Sequence, residues 1–169
     1  MRGFVPDLRG MKVMVLPLQR RTGLRDDLDP EIAYALQARG AGPNWIMPDD
    51  LARALARSPG LDVPLMALPV GIFLTREVNR IGDPLYGYLL RAAAVTNAQV
   101  ALIPVEARRR IELDGSSVVE LVATLLDVRK GRVIWFGVVE GRPGTAGDFQ
   151  IVASAADALA SMLLWYMDE

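Results

Sequence analysis

The 169 residues include no cysteine and no histidine. Thiol nucleophiles, Cys-rich zinc sites, imidazole metal ligands and any Ser–His–Asp arrangement are therefore excluded. Lysine is almost as scarce: Lys12 and Lys130 stand alone, and every other basic residue is arginine. Catalysis would have to rest on carboxylates, tyrosine, serine or one of those two amines. The lack of cysteine says nothing of redox compartment, since reducing and oxidising locations both tolerate it. A dominant charge is missing too. Nineteen Lys and Arg stand against twenty Asp and Glu, a net charge of −1 that gives no bulk pull toward nucleic acid or an anionic membrane. No run reaches the roughly 20 apolar residues a membrane helix needs. Residues 1–7 hold no apolar core of a signal peptide. Two locations stay open: the cytoplasm, or the periplasm and outer membrane if an export signal precedes Met1.

What is present is a globular composition, 51% hydrophobic and 23% charged, long enough for one domain over residues 1–169 with its own core. Residues 11–18 form a valine-bearing apolar run that suits a buried strand. Residues 19–28 are polar, Arg-rich and carry Gly23, and read as a loop. Asp29 and Pro30 supply an N-cap and a first-turn proline for a helix with Ile32, Ala35 and Leu36 on one face, stopped by Gly40. Residues 45–47 are a second short strand. Pro48, Asp49 and Asp50 then open a helix with Leu51, Ala54 and Leu55 inward, and Asp83 and Pro84 repeat the signal for a third helix through about Thr96.

From Gln99 the period changes to two. One strand begins at Val100, and two more cover residues 118–128 and 133–139, joined by a tight turn at Gly131. Residues 141–147 read as a flexible connection. Asp148 caps a closing amphipathic helix on which Ile151, Ala155, Ala158, Leu159, Met162 and Tyr166 share a face. Early strand–helix–strand units favour parallel pairing, while the late turn demands antiparallel neighbours. The expected fold is α/β (α+β): one three-layer domain, a mixed parallel and antiparallel sheet of about five strands flanked by helices.

Residues 61–82 are atypical. The stretch 61–74 is apolar but broken by Pro64, Pro69 and Gly71, which suits neither a helix nor a central strand. Leu65, Met66, Leu68, Val70, Ile72, Phe73 and Leu74 are the candidate partner-binding residues, because large exposed apolar patches mark interaction sites. The competing reading is a loop folded down as core cover over the end of a helix pair.

Three further constellations have bland readings. Asp26, Asp27, Asp29 and Glu31 could ligate a hard cation, but the spacing fits no EF-hand and suits an acidic helix start. Gly141, Gly144 and Gly147 precede a helix without the Lys-Ser/Thr of a phosphate loop. Arg108, Arg109 and Arg110, with Arg20 and Arg21, lack interleaved aromatics and read as a solvated strand edge rather than a nucleic-acid surface. Trp135 and Phe136, adjacent in a strand, point into opposite sides of a covered sheet.

Three phrases together resemble a known group. They are KVMVLPLQ at residues 12–19, AVTNAQVALIP at residues 94–104, and the hairpin from Val118 through Leu126-Asp127-Val128, Lys130-Gly131 and Val133-Ile134-Trp135. They resemble the TolB N-terminal-like domains, the group of CsgG- and LpoB-like bacterial envelope lipoproteins. Asn97-Ala98-Gln99 departs from the group's usual phrase, and residues 61–82 have no counterpart in it. The resemblance implies an envelope protein that binds protein partners or forms homo-oligomers, with a lipid anchor outside this chain, no cofactor and no catalytic residues. The expectation is a non-enzymatic protein acting through protein–protein binding, without nucleic acid and without a membrane span. The alternative is a cytoplasmic small-ligand-binding or carboxylate-based enzyme domain.

Overall fold

The computed structural model describes residues 1–40, 42–145, 147 and 149–167. Its elements are β1 (Arg2–Gly3), β2 (Lys12–Val15), β3 (Arg20–Thr22), α1 (Asp29–Ala38), β4 (Asn44–Ile46), α2 (Pro48–Ala56), α3 (Ile72–Thr75), α4 (Leu85–Thr96), β5 (Val100–Ile111), β6 (Ser117–Asp127), β7 (Arg132–Glu140) and α5 (Phe149–Leu163), followed by a 3-10 turn at Trp165–Met167. The strands form one mixed sheet in the order β1-β7-β6-β5-β2-β4, with β3 also paired to β5. β2 lies parallel to β4 and β5, while β5, β6, β7 and β1 alternate direction.

The α/β class and the mixed sheet agree with the sequence, but the sheet has seven strands rather than five. The two extra strands fall where no alternation could announce them. β1 is two residues long, held against Trp135 and Phe136. β3 lies in the expected loop 19–28 and pairs in parallel with Glu106 to Arg108. It continues the line of β2 past Pro17, which has no N–H to give the ladder. Opposite this break, β5 carries a register shift between Pro104 and Glu106. Leu16 and Gln19 keep the join, donating their amides to the carbonyls of Leu102 and Pro104 at 2.9 and 3.1 Å.

Each face of the sheet buries its own cluster. On one, α1 and α5 lie together over Val13, Val15, Leu102, Leu121, Leu125 and Trp135. α5 carries a broad stripe of Ile151, Val152, Ala155, Ala156, Leu159, Ala160 and Leu163, wider than the expected face because both the sheet and α1 are covered. Its many alanines permit close approach. Gly141 packs closely on it: a Cβ there would stand 2.5 Å from Ser154 Oγ and 2.7 Å from the Ala155 amide nitrogen. Gly144 exchanges backbone hydrogen bonds with Ser117 at 2.7 and 2.9 Å, so the expected flexible connection is anchored at both points. The expected cap Asp148 lies outside the described residues.

On the other face, α2, α4 and the stretch 61–81 cover Met14, Leu16, Ala101, Ile103, Val105, Val122 and Leu126. α4 closes at Asn97, whose φ of 57° is tolerated by this residue type at a helix end. The β6–β7 turn is as read, with Gly131 at φ +62°. Trp135 and Phe136 point to opposite faces, the first fully buried beneath α5's cluster and the second packed on the other.

Candidate interaction surfaces

The seven candidate partner-binding residues do not share one environment. Leu68, Val70 and Phe73 are buried among Met14, Leu85 and Leu89, while Leu65, Ile72 and Leu74 are half-buried against the same cluster. Met66 alone stands out, 68% exposed. Local turns satisfy much of the backbone here, as with the Ala67 amide on the Pro64 carbonyl at 2.9 Å and the Phe73 amide on the Val70 carbonyl at 3.0 Å. Gln19 supplies the rest. Its Nε2 donates to the carbonyls of Leu65 and Pro17 at 2.8 and 2.7 Å, and its Oε1 accepts the Leu68 amide at 2.9 Å. The guanidinium of Arg20 lies over Gly71, where any Cβ would meet it at 2.9 Å. Sequence reasoning missed both residues because it placed 19–28 in a loop.

The acidic start of α1 is not capped by Asp29. Leu28 occupies the cap position, and Asp29 Oδ1 instead accepts the Leu18 amide at 2.8 Å, pinning the helix to the end of the β2 line. Half-burial raises the pKa of that carboxyl, against the lowering effect of the Leu18 bond and with Asp27 and Asp49 adding repulsion. Asp27 takes the Asp29 amide at 3.0 Å. At α4 the cap position falls to Pro84, and Asp83, one residue earlier, accepts the Gly87 amide of the first turn at 3.0 Å. Among the described residues, no group of three or more acidic side chains gathers closely enough to hold a metal.

Beyond the end of the stretch 61–81, which forms a lid over this side of the sheet, the exposed face of β5, β6 and β7 carries a ladder of charge. Arg108 and Arg110 share this face as strand alternation requires, and Arg109 turns to the α5 side beside Gly23 and Ile151. Arg110 pairs with Glu120, with Glu112 at 2.8 Å and with Glu140 at 3.0 Å; Arg108 lies 3.5 Å from Glu106 and 3.7 Å from Glu120. The hydrogen bond from Arg110 holds the Glu140 carboxyl below its ordinary range. The expected solvated edge is thus corrected: β5 is paired on both sides through Arg108, and its arginines are matched by cross-strand carboxylates.

Among the described residues, exposed apolar side chains gather at several places. The tip between β5 and β6 holds Ile111, 63% exposed, and Leu113, which is fully exposed. A groove of about 470 Å³ runs between α1 and α5, flanked by Tyr34 and Phe149, themselves 71% and 62% exposed. Where the two terminal segments meet, exposed Phe4 packs edge-on against Trp165 at 6.3 Å, and Trp165 Nε1 donates to the Val5 carbonyl at 3.0 Å. No described helix is long and apolar enough to cross a membrane.

These features define a mixed α/β domain with covered faces and apolar points left on its rim. No family profile and no curated protein sequence matches the chain. Solved structures do. It is similar to the PelC dodecamer from Paraburkholderia phytofirmans, at 22% identity over 97% of this chain and 92% of that one, with a TM-score of 0.52. A single-substitution variant of that dodecamer covers 99% of this chain and 95% of its own at 21% identity and a TM-score of 0.52. The LpoB C-terminal domain from Salmonella enterica is similar at 18% identity over 78% of this chain and 82% of that one, with a TM-score of 0.48. At these identities the PelC likeness establishes a shared fold.

Proposed function

We propose that this chain is a non-enzymatic cell-envelope domain that works by assembling with further copies of itself. The observation that carries the reading is the fold likeness to PelC, which spans almost the whole chain and was solved as a dodecamer. The rim supports it, since the exposed Leu113, Ile111, Tyr34 and Phe149 are chemically suited to contacts between subunits. A non-catalytic role accords with how the carboxylates are spent. Asp29 and Asp83 each hold a backbone amide, and Glu112, Glu120 and Glu140 answer Arg110. Placement at the envelope, and kinship with TolB- and CsgG-like lipoproteins, rest on the three sequence phrases and belong to the proposal. Light scattering on the purified chain tests the assembly: a mass several times 18.5 kDa is expected, and a monomer at every accessible concentration would overturn it. Fractionation of the tagged natural protein tests the location, with recovery in the soluble cytoplasmic fraction as the contrary result.

A further inference from the structure

We infer that the β5–β6 tip of one copy seats Ile111 and Leu113 in the α1–α5 groove of a second copy. The inference rests on the assembly proposed above and names the surfaces that make it.

The tip is an apolar knob on a stiff support. The Glu112 amide donates to the Ser116 carbonyl at 2.8 Å, and the Gly115 amide to the Glu112 carbonyl at 3.0 Å. Asp114 Oδ1 accepts both the amide and the hydroxyl of Ser116, at 2.9 and 2.6 Å. A tip ordered in advance loses little freedom on docking. Hairpin turns are ordinarily polar, whereas this one presents a fully exposed leucine two residues from the exposed Ile111.

The groove has the matching form. Its floor is made by Ala35, Ala38 and Ala153, and Tyr34 and Phe149 rise on either side as exposed aromatic walls. Since an apolar cavity of roughly 150 Å³ holds a benzene ring, a groove of about 470 Å³ has room for both aliphatic side chains. One pairing of opposite charge is available, on a groove that also carries Glu31 and Asp157. Asp114 beside the knob is ionised, its carboxyl held low by the Ser116 hydroxyl, and Arg142 on the rim makes no ion pair among the described residues. Arg39, also at the rim, is already engaged by Asp157 at 3.0 Å.

Every copy carries one knob and one groove. A contact of unlike patches adds subunits head to tail and closes into a ring when the rotation permits. That geometry is what singles out a second copy as the occupant.

Two variants test it, Leu113→Asp at the knob and Ala38→Trp at the exposed rim of the groove floor, each checked for an unchanged melt. Each alone is expected to weaken self-association about tenfold or more, toward monomer. Mixing them should restore dimers, because each variant keeps the surface the other lacks. Asp114→Arg and Arg142→Asp should each weaken assembly and together recover it, which keeps the test decisive if a groove variant folds poorly. An assembly unchanged by Leu113→Asp overturns the knob-in-groove contact and leaves the oligomeric reading standing. Loss of assembly in both variants without recovery on mixing also overturns the contact. A monomeric parent protein overturns the oligomeric reading and this inference with it.

Discussion

The two faces of the sheet are sealed by different means. Over Trp135 and Leu125 lie two regular helices, α1 and α5, which also pack on each other. Over Ile103 and Val122 lie α2, α4 and a stretch of about twenty residues whose only regular piece is the four-residue α3. Yet the irregular stretch buries Leu68, Val70, Phe73, Val78 and Ile81 nearly as fully as α5 buries its stripe. Apolar burial therefore does not require periodicity. It requires that the backbone polar groups beneath be answered, here by short turns and one glutamine.

The sharpest way to break that equivalence is to empty both faces alike. Phe73→Ala is expected to cost about 3–5 kcal/mol, the same range as Trp135→Ala on the other side. Urea unfolding measures both. If Phe73→Ala costs under about 1 kcal/mol, the irregular stretch is a loose flap and the two faces are not equivalent. Met66→Ala, on the same stretch but pointing to solvent, should stay within about 0.5 kcal/mol and serves as the control.

Gln19 comes next. Removing its amide by Gln19→Ala takes two hydrogen bonds from the stretch 61–81 and one from Pro17, and leaves the Leu68 N–H without its acceptor. A loss of about 2–3 kcal/mol follows, with faster hydrogen exchange confined to residues 64–74. Exchange that quickens equally under α5 would show that the two faces open together instead.

How much of this was legible in the sequence depends on whether a residue's partner is near it in the chain. The helices α1, α2, α4 and α5 and the strands β5, β6 and β7 emerge from local period, caps and turn residues. Asp83 serves the first turn of α4, though Pro84 holds the cap position itself, because its donor, the Gly87 amide, is four residues away. Asp29 looks identical in sequence but serves Leu18, across the gap between a strand line and a helix, so the cap reading fails. β3 was hidden because its pairing is with β5, over eighty residues later, and three polar residues carry no alternation. The Arg108–Arg110 run is legible as a two-faced strand, but its carboxylates come from β6 and β7 and cannot be assigned from spacing. Spacing leaves the irregular lid open between core cover and partner surface; Leu68, Val70 and Phe73 are buried and Met66 is exposed.

Asp29 and Asp83 offer a direct comparison of a tertiary tie with a local one. Each change to alanine should cost about 1 kcal/mol. Asparagine separates them from a charge effect. Asp29→Asn keeps the acceptor for the Leu18 amide and removes a carboxylate whose charged form burial disfavours, so its midpoint at neutral pH should equal or exceed that of the parent. A drop as large as that of Asp29→Ala would mean that the negative charge itself, rather than the acceptor, holds α1 in place.

The smallest effect belongs to the exposed ladder, which has the same cross-strand regularity as the core but lies in water. Glu140 meets Arg110 at 3.0 Å, and that hydrogen bond is the chief reason its carboxyl sits below its ordinary value. A carboxyl whose pKa is lower folded than unfolded adds stability at pH values above the unfolded pKa. That contribution disappears as the pH falls through the folded pKa, because both states are then protonated. The margin by which the parent exceeds Glu140→Gln should therefore be present at about pH 7, shrink below about pH 4.5 and vanish in stronger acid. Salt screens an exposed pair, so the margin at about pH 7 should also shrink from about 0.1 M to about 1 M salt. A margin that survives both acid and salt would show that Glu140 acts through packing on β7, and the ladder would then join the buried face instead of standing apart from it.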